Sequence, residues 1–211
     1  MESESESRST LMVFVKSPVA GTVKTRLAAS IGDAEALSVY ERLLRITLNA
    51  AEGCGKDIRK MLWYSGEWDG LKKWNTSRFE PCRQPEGDLG ERMDAAFRDA
   101  FRDGASKAVI IGSDCPYITA HVIEEAFDML DHHDVVIGPS MDGGYYLLGS
   151  TAYHPWIFEG MPWSSSGLLE QTIKAVSGHG RRYRLLHELQ DVDTEEDLVR
   201  WQNDKTQRWE P

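Results

Sequence analysis

At 211 residues with a formal net charge of −10, the chain fits one sizeable domain with a continuous core. No apolar run approaches the length that crosses a bilayer, and the opening MESESESRST has neither a basic segment nor an apolar one, so a membrane span and a secretory signal are excluded from the reading and a soluble cytoplasmic protein is expected. So acidic a chain repels a polyanion, which removes nucleic acid from the expected partners and makes any anion site a local one.

Residues 1–10 read as a disordered acidic tail, with Glu2, Glu4 and Glu6 against Arg8, and residues 11–211 as a single domain. The run LMVFVK at 11–16 predicts a strand, and residues 34–52 a helix with Leu37, Tyr40, Leu44 and Leu48 on one face. DIRKMLWY at 57–64 predicts a second strand. RFEPCR at 78–83 predicts a third, which Pro81 pushes to an edge because it has no N–H for the ladder. In LGERMDAAFRDAFR, Leu89, Met93, Ala96, Phe97, Ala100 and Phe101 recur at three and four residues, an amphipathic helix. KAVIIGS at 107–113 is nearly all apolar, as a central parallel strand covered on both faces must be. Thr119 is placed to cap the next helix, DVVIGP at 134–139 to form another strand, and YYLLG at 145–149 a further one. A helix from about Gly167 to Gly178, a strand RYRLLHE and a last helix capped by Thr194 with Asp197 three residues on complete the chain. This order predicts an α/β/α three-layer sandwich on a mostly parallel sheet, with room for an antiparallel strand from the later part. Cys54, Cys82 and Cys115 are odd in number and lack metal-ligand spacing, so free thiols are expected.

In an open α/β sheet, ligands gather beyond the carboxyl ends of the strands. Four loops are expected there: SPVAGTVKTR, QPEGDLGER, SDCPYIT and SMDGG, and they would bring Lys24, Arg26, Asp114 and Asp142 to one rim. The first is no P-loop, since Val23 stands where glycine must precede the lysine, and it lacks the GxGxxG pattern. It offers a turn at Gly21 followed by Lys24 as a mobile charge and Arg26 as a bidentate fork at a helix start, suited to phosphate oxygens. It reads equally well as a solvated surface loop. Asp114 ends the central strand and offers the kind of carboxylate that magnesium takes. Asp142 with Gly143 and Gly144 reads either as a ligand-orienting group beside backbone that a ligand can approach, or as a plain turn. Asp88 and Glu91 read as a ligand pair or as a helix cap. Trp156 and Trp163 read as core or rim anchors before stacking platforms.

Five ordered motifs, VFVKSPVAGTVKTRL, QPEGDLGERM, IIGSDCPYIT, VVIGPSMDGGYYLLG and DVDTEEDL, resemble the bacterial and archaeal DUF2064 family of radical-SAM/selenodomain-associated transferases. These are GT-A-fold proteins described as candidate nucleotide-diphospho-sugar transferases. The similarity runs over about residues 11–200 and extends to 2-phospho-lactate guanylyltransferase and, more remotely, to molybdenum cofactor guanylyltransferases and sugar-nucleotide synthetases. Ala20, Ser113 and Glu195 depart from the usual pattern without removing a proposed ligand. The resemblance implies a GT-A fold with a nucleoside triphosphate or nucleotide sugar over Lys16, Pro18, Gly21, Lys24, Arg26, Gln84, Gly87 and Asp88. It further implies a small-molecule acceptor or sugar near Asp142, Gly143, Gly144 and Trp163, and Mg2+ or Mn2+ on Asp114 and Asp193. Lys24, Arg26 and Asp114 are the implied catalytic residues. Glycosyl transfer from a nucleotide sugar is the leading expectation, nucleotidyl transfer with release of pyrophosphate is the alternative, and a nucleotide-binding module without turnover is the non-enzymatic one.

Overall fold

The protein is described by a computed structural model covering residues 8–74 and 76–204. The strands are β1 (Arg8–Lys16), β2 (Arg59–Ser65), β3 (Glu80–Arg83), β4 (Ala105–Ile111), β5 (Val135–Pro139), β6 (Tyr145–Ser150) and β7 (Tyr183–Leu185). The helices are α1 (Thr25–Ile31), α2 (Asp33–Gly53), α3 (Leu89–Arg102), α4 (Ala120–Met129), α5 (Leu168–Gly178) and α6 (Glu195–Asn203). β1 therefore starts inside the segment expected as a tail, whose residues 1–7 lie outside the described part. No described helix is long and apolar enough to cross a membrane.

The strands form one seven-stranded sheet in the order β3-β2-β1-β4-β6-β5-β7. It is parallel throughout except for β6, which runs antiparallel to both β4 and β5. Alternation along the strands separates two cores. Leu11, Val13 and Val15 of β1 face α2 and α4, joining Tyr40, Leu44, Leu48, Ile123 and Phe127. Met12 and Phe14 point the other way, to Met93, Phe97 and Ala100 of α3 and Val176 of α5. β4 lies in the middle of the order, and Ala108 to Ile111 are buried. β3 is the edge that Pro81 predicts.

The helix expected over residues 34–52 is α2, and Gly32 at φ 86° parts it from the short α1 before it. Two local readings change. Leu89, the first residue of α3, is 43% exposed rather than part of the apolar stripe. The strand expected over RYRLLHE is reduced to the three residues of β7.

A third, smaller core positions the site. Leu27 of α1 and Ala36, Val39 and Leu43 of α2 pack with Val192, Leu198 and Trp201. Leu27 and Leu43 are fully buried, and each such side chain contributes about 1.5–3 kcal/mol. This cluster docks the C-terminal segment onto the helices that follow β1, and the Val192 N–H donates to the Asp114 carbonyl at 3.0 Å. The end of the chain is thereby stitched to the loop after β4.

Candidate functional site

β1 and β4 pair only as far as Val13 and Ile111, and beyond that point the two neighbours separate. The gap is braced from below by Tyr40 of α2. Its hydroxyl accepts from Lys16 N–H at 2.8 Å and donates to the Lys16 carbonyl at 2.9 Å, and it lies 3.4 Å from Ser113 Oγ. Burial, above all, pushes the Tyr40 phenol up to about 12, so it remains a neutral hydroxyl. One turn of loop follows: Thr22 N–H donates to the Val19 carbonyl at 3.1 Å, and Gly21 adopts φ 78°. Pro18 is buried, and Ser17 beside it packs so closely on Gly66 and Gly70 that a Cβ at either glycine would meet Ser17 at 2.9 Å or less. Those glycines were not legible as site residues.

The loop ends on Lys24, one of two non-glycine residues with positive φ among the described residues, at 48°. Its Nζ lies 2.5 Å from Asp114 Oδ1 and 2.9 Å from Asp193 Oδ1. The lysine side chain is 4% exposed, whereas the carboxylates are 48% and 38% exposed, so the cation is the covered member of the trio. Burial alone would lower the Lys24 pKa, but the carboxylates of Asp114 and Asp193 outweigh it and hold the ammonium above its ordinary range. Arg26 is 73% exposed, its guanidinium 3.9 Å from Asp193 Oδ2. α1 has only seven residues and no side-chain cap, so its dipole adds little and the basic side chains dominate.

Asp193 is aimed by its neighbours. Asp197 Oδ2 accepts from Asp193 N–H at 3.2 Å, from Thr194 N–H at 2.9 Å and from the Thr194 hydroxyl at 2.8 Å, completing the capping box that starts α6. Asp191, two residues before Asp193, was not singled out by the sequence. Its Oδ1 is shielded from solvent without a hydrogen-bond partner. Burial first, then the nearby Asp114 charge, pushes its carboxyl up to about 8. A D-x-D pair beside the lysine's partner is the signal that could have found it.

The remaining candidates divide. Gln84 donates through Nε2 to the carbonyls of Trp63 at 2.8 Å and Val15 at 3.4 Å, tying the ends of β1 and β2 to the residue after β3. Asp88 is the N-cap of α3: its Oδ1 accepts from Glu91 N–H at 2.9 Å, and Glu91 Oε2 accepts from Asp88 N–H at 2.8 Å. Gly87 at φ 127° leaves room for that Glu91 carboxylate. Lys16 keeps an exposed side chain on a braced backbone. Asp142 Oδ1 accepts from the Ser140 hydroxyl at 2.5 Å and from Gly144 N–H at 3.0 Å, an Asx-type turn. Gly143, at φ 87°, is pressed on Ser166, and its carbonyl accepts from Leu169 N–H at 2.9 Å. Trp163 rests on Gly90, where any Cβ would lie 2.2 Å from the indole nitrogen, and runs near-parallel to Phe158. The loop over residues 160–167 therefore joins the start of α3 to the turn after β5. Cys54, Cys82 and Cys115 are free thiols, as expected.

Residues 48–165 match the family model described as "Uncharacterized protein conserved in bacteria (DUF2064)". The chain belongs to the DUF2064 family. Among solved structures, a candidate nucleotide-diphospho-sugar transferase from Desulfovibrio desulfuricans G20 is 31% identical, with a TM-score of 0.87 over 93% of this chain and 87% of its own. The 4-diphosphocytidyl-2C-methyl-D-erythritol synthase of Anaerococcus prevotii DSM 20548 shares the fold, at 10% identity and a TM-score of 0.59 over 92% of this chain and 94% of that one. A curated relative, the 3-phospho-D-glycerate guanylyltransferase of Phenylobacterium zucineum (strain HLK1), is 29% identical over 139 residues. The match spans 63% of this chain and 63% of that relative. The three-layer fold expected from the sequence is thus the GT-A-like one of these structures.

Proposed function

We propose that this DUF2064 protein is a nucleotidylyltransferase. A nucleoside triphosphate would bind at the opening between β1 and β4, a phosphate oxygen of a small phosphorylated acceptor would attack its α-phosphorus, and pyrophosphate would leave. The observation that carries this reading is the buried Lys24 ammonium held between Asp114 and Asp193 at that opening, with the exposed Arg26 beside it, 3.9 Å from Asp193. Two cations on one loop suit the charge of a triphosphate and of departing pyrophosphate. The guanylyltransferase relative acts on a phosphorylated acid by its name, which favours the same chemistry. The leading expectation from the sequence, glycosyl transfer, keeps the support of the nucleotide-diphospho-sugar transferase name of the 31% identical structure, while the curated relative's name is of nucleotidyl-transfer type.

Mg2+ or Mn2+ fits the residues present. Asp114 and Asp193 are half-exposed carboxylates, and Asp191 adds a shielded oxygen without a partner, an all-oxygen donor set proper to hard cations. No group of three or more side chains arranged around a metal position occurs among the described residues, and two carboxylates completed by phosphate oxygens and water are what Mg2+ usually takes. Bound there, the cation would supply charge stabilisation at the phosphates. The chain's own part is positioning: Tyr40 fixes the opening, Asp197 aims Asp193, and Lys24 and Arg26 bind phosphate oxygens.

The deciding experiment incubates the protein and Mg2+ with each nucleoside triphosphate plus 3-phosphoglycerate and follows pyrophosphate, in parallel with nucleotide sugars followed by nucleoside diphosphate. Pyrophosphate release that requires the phosphorylated acid is the expected result. Nucleoside diphosphate from a nucleotide sugar would restore glycosyl transfer, and nucleotide binding with neither product would make the protein a binding module.

A further inference from the structure

We propose that Lys24 is an internal counter-ion which yields its place between Asp114 and Asp193 to a divalent cation when a nucleotide's phosphates arrive, so that metal and nucleotide enter together. The inference rests on the nucleotidyltransferase reading and adds an order of binding to it.

The argument is one of shared oxygens. Lys24 Nζ sits on Oδ1 of both aspartates, at 2.5 and 2.9 Å. A divalent ion on those carboxylates needs oxygens at about 2.0–2.1 Å, and two positive centres cannot share so small a space without repulsion. The ammonium is the covered partner and the carboxylates are the open ones. An incoming cation can therefore reach the aspartates from solvent, while the lysine needs a new anionic partner before it can leave them. The phosphates of the nucleotide are that partner. A lysine suits the exchange because its charge is compact and rides on four rotatable carbons, whereas an arginine fork would hold the carboxylate pair in one fixed geometry. The backbone is set for a special position as well, since Lys24 holds φ 48° where most residues avoid the left-handed region. Arg26, exposed and 3.9 Å from Asp193 Oδ2, carries a similar charge nearby without occupying the shared oxygens.

The test is a Mn2+ titration of the full chain without nucleotide, reading free Mn2+ by electron paramagnetic resonance. Lys24→Met is the first variant. Lys24→Gln, which keeps a hydrogen-bond donor without charge, is the second should the first lose its fold by circular dichroism. Arg26→Gln serves as the control for simple loss of a neighbouring charge. At least tenfold tighter Mn2+ binding by the Lys24 variants than by the parent, with less than a threefold gain for Arg26→Gln, is expected. Adding Asp114→Asn to the Lys24 variant should abolish the gain. If the parent binds Mn2+ and the Lys24 variants bind it equally or more weakly, or if Arg26→Gln gains as much, the exchange is wrong while the metal-nucleotide site survives. If neither the parent nor any variant binds Mn2+, the exchange falls, and the metal-dependent form of the proposed function falls with it.

Discussion

The loop after β1 and the loop after β3 both carry charged residues to the same rim, yet they settle those charges in opposite ways. Around α3 the polar groups close on themselves, with Asp88 and Glu91 exchanging hydrogen bonds across three residues and the Gln84 amide on strand carbonyls. After β1 the backbone closes one turn between Val19 and Thr22, but the charged side chains do not close locally. Lys24 stands at the N-cap of α1 but makes no side-chain cap bond there, adopts a left-handed backbone, and finds one of its partners 169 residues away. A side chain satisfied by its own helix turn contributes mainly to stability. One that abandons local geometry for distant carboxylates is the better candidate for chemistry.

That contrast can be broken by substitution. Asp114→Asn should do the most, lowering the rate of pyrophosphate release by about 10²–10³-fold, the scale for losing one preorganised charged or polar partner in such a site. Its melting temperature should change little, because the carboxylate is half-exposed; a variant that kept a tenth of the rate would remove Asp114 from the site. Gly90→Ala, on the α3 side, should instead act through packing, since its Cβ would strike the Trp163 indole. Overpacking of that kind costs about 1–3 kcal/mol, or about 2–4 °C of melting temperature per kcal/mol in a chain of this size. An unchanged melt would mean that Trp163 is free to move away. Asp88→Ala should cost about 1 kcal/mol as a lost N-cap, with a nucleotide KM within about twofold of the parent. A tenfold rise in KM would return Asp88 to the ligand side. Asp191→Asn should act with the opposite sign, a rise in melting temperature of up to a few degrees, because it relieves a shielded carboxyl that faces Asp114 and Asp193. A fall in melting temperature would show that the carboxyl has a favourable partner after all.

Much of the fold was readable because its causes are local or periodic. The apolar run ending in Val109, Ile110 and Ile111 announces a strand covered on both faces, and Pro81 announces an edge. Thr119 and Thr194 mark helix starts through bonds to Val122 and Asp197 N–H groups. Reading failed where a residue's state depends on what lies across the fold. Leu89 fits the apolar period yet stays exposed at the first residue of α3. Asp191 looks like a solvated acid, and its shielding arises only when the C-terminal segment packs beneath the loop after β4.

By itself the sequence determined the alternation of strands and helices, the caps, and which loops carry cations and carboxylates, since apolar periodicity and capping act within a few residues. Its motifs also carried the family. Only the tertiary structure decided that Lys24 belongs between Asp114 and Asp193 and that the Gln84 amide is held on the carbonyls of β1 and β2. A charge interaction over about 3 Å exists only after the sheet order and the Leu27–Val192–Trp201 cluster have brought distant parts of the chain together.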